Sequence, residues 1–143
     1  MLRLARDRGG NVEWPRIVRL PPRDLETVAT ENAVEGCVHE TWVALLNHYQ
    51  AAHATDREVR AVMARIASDE TSHAELARDI DRWAMGALPR AARARVQRRR
   101  QGAARALAQR VDESSPSIGA VLGLPGKAVQ QFFVRQLKER LWW

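Results

Sequence analysis

A chain of 143 residues with a net charge of +6 is one domain long enough to bury a modest core. Ala, Leu, Arg and Glu dominate over β-branched and aromatic residues, which predicts an all-helical fold. There is no apolar run of about 18 residues to span a membrane, and with Cys37 alone there is no intrachain disulfide.

Residues 1–22 carry Gly9-Gly10-Asn11, Trp14-Pro15 and Pro21-Pro22, all punctuation against regular structure. They predict a short helical turn and then an extended connector. Met1 to Arg8 lacks the apolar core of a signal peptide, so a cytoplasmic location is the default expectation. Pro21-Pro22 ahead of Asp24-Leu25-Glu26 opens a first long helix near Arg23, running to about His53. Its apolar line is Leu25, Val28, Glu35, Trp42, Leu46 and Tyr49. Cys37 lies among apolar residues on it and reads as a reduced core thiol.

Ala54-Thr55-Asp56 is a tight connection, and Thr55-x-x-Glu58 reads as a capping box for a second helix to about Met85. Val59, Val62, Met63, Ile66, Glu70, His73, Ala77 and Ile80 recur there at helical spacing. So short a loop makes the two helices antiparallel neighbours. Gly86-Ala87-Leu88-Pro89 ends the pair. A third helix, Arg90 to about Val111, has eight Arg and a thin apolar line of Ala92, Val96, Ala103, Leu107 and Val111. Asp112 to Pro116 interrupts it. Leu122-Gly123-Leu124-Pro125 turns into a last helix, about Gly126 to Trp142, with Val129, Phe132, Phe133, Leu137 and Leu141 facing the core.

Charge is unevenly distributed along these elements. Residues 1–23 carry a net +4, residues 24–85 a net −7 and residues 86–143 a net +9. An acidic centre between basic flanks suits a carboxylate metal site with cationic outer elements, and the basic flank alone would suit nucleic acid.

Glu70 and His73, three apart, share one face of the second helix. Reflection about the Ala54-Thr55 turn brings their level near residues 36 to 39, within a turn of Glu35 and Glu40. Glu35 lies on the apolar line and is the better ligand, while Glu40 falls on a more polar flank beside Gly36 and Asn47. Glu35, Glu70 and His73 therefore form a candidate metal constellation. Carboxylates with imidazole suit iron, with manganese as the alternative, better than a thiolate-seeking metal. Two bland readings stand beside it: a polar interruption in a surface stripe, and a Glu–His pair without metal.

The segments Glu31-Asn32-Ala33-Val34-Glu35-Gly36-Cys37-Val38-His39-Glu40-Thr41 and Arg65-Ile66-Ala67-Ser68-Asp69-Glu70-Thr71-Ser72-His73-Ala74 resemble the second half of a largely uncharacterised group of bacterial ferritin-like domain proteins. Ala33-Val34-Glu35 is also similar to the second helix pair of the demethoxyubiquinone hydroxylases. The resemblance covers residues 1–85 and extends weakly through Leu122-Gly123-Leu124-Pro125 and Leu141-Trp142. It implies an all-α, ferritin-like antiparallel helix hairpin with two further C-terminal helices. Residues 1–22 would be a connector, 23–85 the metal-site helix pair and 90–143 the basic C-terminal helices. Glu35, Glu70 and His73 would supply half of a non-haem di-iron site. Asp69 would orient His73 through its other ring nitrogen, and Glu31, His39 and Glu40 would stand around the site. Position 39 of that pattern is usually Arg; here it is His.

Family members carry an earlier helix pair with its own Glu and Asp-Glu-x-x-His, and Met1 to Arg6 resembles the tail of that pair. Three readings follow. A homodimer would place two half-sites around two metals on a two-fold axis, for iron binding or oxidation or for oxygen-dependent redox chemistry. A metal-free helical scaffold would retain the three residues as relics, with Phe132, Phe133 and Trp142 covering the open surface. The weakest reading is nucleic-acid binding through Arg90, Arg93, Arg95, Arg98, Arg99, Arg100 and Arg105, with the bland alternative that they pair with the acidic helices.

Overall fold

In the computed structural model the described residues are 2–11, 16–18, 21–110, 119 and 121–142. The expectations for Trp14-Pro15, for Val111 and for the interruption at Asp112 to Pro116 lie outside them. The elements in chain order are α1 (Leu2–Asp7), α2 (Leu25–Glu31), a π-helical segment π1 (Asn32–Glu40), α3 (Thr41–His53), α4 (Arg57–Ala87), α5 (Arg90–Gln109), α6 (Lys127–Leu137) and a second π segment π2 (Lys138–Trp142). No strand occurs among the described residues.

α2, π1 and α3 form one continuous rod, and α4 returns antiparallel to it. The rod starts where Asp24 accepts the Thr27 N–H at 2.7 Å. That bond, donated to the ionised form, holds the Asp24 carboxyl below its usual range. The turn at the hairpin tip differs from the expected capping box. Asp56, not Thr55, is the N-cap of α4, and its carboxylate accepts the N–H groups of Glu58 and Val59 at 2.8 and 3.1 Å. Arg8 at the end of α1 pairs with Asp56 and Glu58 and ties the N-terminal turn to this tip.

The seam between the rod and α4 is built from small residues. Ala29, Ala33 and Cys37 on one side and Ala67, Ala74, Ala77 and Ala84 on the other are buried. A Cβ added at Gly36 would lie 2.6 Å from the Ala77 Cβ, so glycine is required there for the helices to approach this closely. Of the larger apolar residues expected along α4, Val59 and Met63 are buried and Val62, Ile66 and Ile80 half-buried, while Leu76 and Trp83, off that line, are exposed.

α5 packs against the rod through Ala92, Val96 and Ala104, its first half sharing a cluster with Ala29, Ala33 and Ala84. Ala104, rather than the expected Ala103, is the buried residue of its second half. α6 and π2 complete a cluster of Val38, Trp42, Ala104, Val134, Leu137 and Trp142. Of the residues expected to face inward, Phe132 is 49% and Leu141 45% exposed. For Leu141 the reason lies in π2, where hydrogen bonds running i→i+5 widen the turn; Phe132 lies before it on α6, whose buried face is Val134 and Leu137. Trp142 therefore takes the inner place after Leu137. The Leu122–Pro125 turn docks on the hairpin tip, where Gln50 Nε2 donates to the Leu122 carbonyl at 3.1 Å.

Candidate functional site

The π segment decides which side chains meet on the open side of the helix pair. In an α-helix Glu35 and Glu40 would point to different flanks. In π1 they are one i→i+5 step apart and return to the same face. Both line an open groove of about 480 Å³ together with Val28, Glu31, Asn32, Gly36, His73, Leu76, Ala77 and Ile80. Glu40, set aside on helical spacing, thus shares this groove with Glu35 and His73.

All of these lining residues come from α2, π1 and α4. α5, α6 and π2 pack instead on the side of the rod that carries Val38 and Trp42. Trp142 is fully buried there and Phe133 partly so, so the C-terminal helices leave the groove face uncovered.

The sequence places Glu35, Glu70 and His73 on apolar faces; the structure places them at the exposed edge of the pair. The side chains of Glu35 and His73 are 71% and 58% exposed, and that of Glu70 is 26% exposed. The difference arises because the alanines form the seam and displace the larger residues, and the polar side chains among them, to its margin.

His39 Nδ1 lies 2.9 Å from a Glu35 carboxylate oxygen, one turn along. His73 Nδ1 lies 3.6 Å from Glu70, too long for a hydrogen bond. Glu70 does not line the groove. Glu31 is ion-paired with Arg23. Asp69 is exposed and makes no hydrogen bond or ion pair among the described residues, so nothing ties it to His73. Among the described residues no group of three or more His, Cys, Asp or Glu side chains is arranged to hold a metal ion.

Beneath the groove, π1 is anchored to α4 through a single carbonyl. Asn32 Nδ2 donates to the Ala77 oxygen at 2.9 Å, and the Cys37 thiol donates to the same oxygen at 3.6 Å. Burial pushes the Cys37 thiol up to about 11, with Asp81 adding to the shift, so it is neutral near pH 7. It is a buried free thiol, as its sequence context predicts.

The arginines of α5 divide into two sets. Arg95 makes a two-point contact with Glu26 at 2.6 and 2.8 Å, Arg100 pairs with Asp81, and Arg93 Nε donates to the Leu88 carbonyl at 2.7 Å. Arg90, Arg98, Arg99 and Arg105 are exposed. The basic helix is thus partly spent on the acidic pair beneath it.

Along α4, His73, Leu76, Ile80 and Trp83 follow one another at steps of three and four and so share one face. Leu76 is 59% and Trp83 63% exposed on it. Carboxylates, an imidazole and two large apolar side chains thus stand together on one uncovered surface. No helix in the described residues is long and apolar enough to cross a membrane. No family model, no curated protein and no solved structure matches the chain.

Proposed function

We propose that this chain is a ferritin-like half-site: a carboxylate- and imidazole-bearing helix pair that binds non-haem iron, or manganese, when a second copy covers its open face. The observation that carries this reading is the shared groove. Glu35 and Glu40 from π1 and His73 from α4 line it, with Leu76 and Trp83 exposed alongside. Large apolar side chains beside acidic ones on an uncovered face suit association better than free solution. A two-fold axis through that face would set each chain's Glu35, Glu40 and His73, with Glu70 3.6 Å from His73, opposite their copies and double the donor set. That no three-donor group occurs among the described residues agrees with a site completed by assembly. Hard carboxylate oxygens with imidazole nitrogen favour iron or manganese. The proposal concerns metal binding and assembly; the resemblance to ferritin-like proteins motivates the choice of metal.

Iron loading of the purified chain under anaerobic conditions, with metal analysis and sedimentation, tests it. The expected result is a dimer with about one iron per chain, as a di-iron bundle requires. The iron should be lost in Glu35→Ala, Glu70→Ala and His73→Ala, and the dimer weakened in Trp83→Glu. A well-folded monomer that takes up neither iron nor manganese would overturn the reading in favour of a metal-free scaffold.

A further inference from the structure

The end of π1 meets the end of the chain. Trp142 is 1% exposed, and its indole Nε1 donates to the Cys37 carbonyl at 3.0 Å across 105 residues of sequence. At the same place the ladder of the rod changes register: the Thr41 N–H bonds to the Val38 carbonyl, three residues back. In a regular α-helix that N–H would bond to the Cys37 carbonyl, four back. The indole N–H therefore sits on a backbone acceptor that the register change has released from its usual donor.

The opposite side of π1 is fixed as well. Asn32 and Cys37 both donate to the Ala77 oxygen of α4, and Gly36 leaves no room for a Cβ against Ala77. Between these contacts and Trp142 the segment that carries Glu35 and Glu40 is held from two sides. A regular α register would send these two carboxylates to different flanks.

We propose that Trp142 is a positioning residue: its indole N–H holds the π register of Asn32–Glu40 and thereby sets Glu35 and Glu40 on the same groove. The consequence for metal rests on the reading given under Proposed function; the consequence for the backbone does not.

Two measurements on the 143-residue chain separate them. The variants are Trp142→Phe, which keeps an aromatic ring and removes the donor, and 3-benzothienylalanine in place of Trp142 by semisynthesis. The latter keeps the shape of the indole and replaces its N–H by sulfur, so it serves where the phenylalanine variant does not fold. In hydrogen exchange by mass spectrometry, peptides covering residues 32–41 should exchange roughly tenfold faster, the fold-change expected for one buried hydrogen bond, while those within α4 stay protected. Unchanged exchange over 32–41, or a uniform rise through the whole chain, would overturn the proposal, because a packing role alone moves global stability. Cobalt(II) titration, followed by its visible absorption, should then show affinity lowered by at least tenfold with an altered band shape. Faster exchange with unaltered cobalt affinity and spectrum would overturn the positioning role. If the unmodified chain binds no cobalt, iron or manganese, the metal reading falls, and the exchange result still decides whether Trp142 holds the register.

Discussion

Gly36→Ala tests the close approach of the rod to α4. Its new Cβ would lie 2.6 Å from the Ala77 Cβ and 3.0 Å from the Asn32 side-chain oxygen. Ordinary carbon contacts are near 3.5–4.0 Å, so the two helices must separate by about 1 Å. A Cβ cannot swing aside, because it is fixed to its backbone. The same movement lengthens the 2.9 Å bond from Asn32 to the Ala77 oxygen beyond hydrogen-bond reach. Overpacking costs about 1–3 kcal/mol and the lost hydrogen bond about 1 kcal/mol. Replacing a helical glycine by alanine returns about 1 kcal/mol. The net expectation is a destabilisation of about 2 kcal/mol, a large fraction of the stability of a small domain.

Urea unfolding followed by circular dichroism measures it, with the midpoint lowered at constant slope. The partner variant Ala77→Gly should cost about 1 kcal/mol alone. In Gly36→Ala/Ala77→Gly the methyl simply changes helix, so the double variant should be more stable than the sum of the two singles predicts, by about 2 kcal/mol. A Gly36→Ala midpoint at or above the parent, or additive costs in the double variant, would refute the close-packed seam.

Gly123→Ala should be more damaging, by roughly 3 kcal/mol or more in the same assay, because strain and overlap combine. Gly123 has φ +66°, and a Cβ there would lie 2.3 Å from the Ala54 nitrogen; an unchanged midpoint would remove the tight docking of this turn on the hairpin tip. Cys37 should resist iodoacetamide at pH 8 in the folded chain and react readily in urea. Since its folded thiol titrates near 11 against an ordinary 9.0, the unfolded chain loses the proton first; the contribution of this group to stability is intact below pH 9 and falls as pH rises from 9 to 11. Equal alkylation in both states would contradict its burial. Asp81→Ala leaves Arg100, 12% exposed, without its carboxylate and should cost about 3 kcal/mol, more than Asp81→Leu/Arg100→Met, which removes both charges. The reverse order in urea midpoints would show that the pair is not buried in the way described.

The helical hairpin is legible in the sequence because its signals are local. Pro21-Pro22 with Asp24 starts the rod, the short Ala54–Asp56 link forces antiparallel neighbours, and Gly86 to Pro89 ends the pair. The seam is less legible. The expected line through Ile66, Glu70, His73, Ala77 and Ile80 catches Ala77 but misses Ala67, Ala74 and Ala84, which complete the close-packed line. Alanine contributes little to a hydrophobic pattern, yet it permits the shortest interhelical distance, so it wins where Gly36 faces it. The groove was legible in composition and misphased in geometry: Glu35 and His73 line it as a pair from adjacent helices, but Glu40 joins them in place of Glu70.

That misphasing has a physical origin shared by both ends of the fold. Spacing rules assume an i→i+4 ladder, and a segment bonded i→i+5 rotates everything after it relative to that expectation. Around π1 the step from Glu35 to Glu40 is five residues; through π2 the step from Leu137 to Trp142 is also five. Neither shift is visible in residue type, because the register is chosen by tertiary contacts: the Ala77 carbonyl with its two side-chain donors, and the indole of Trp142 on the Cys37 carbonyl. The two irregular segments are coupled, since the rotation in π2 delivers the side chain that holds the end of π1. A change at the C-terminus can therefore alter the arrangement of carboxylates on the open face without touching any of them, and only the assembled fold contains that information.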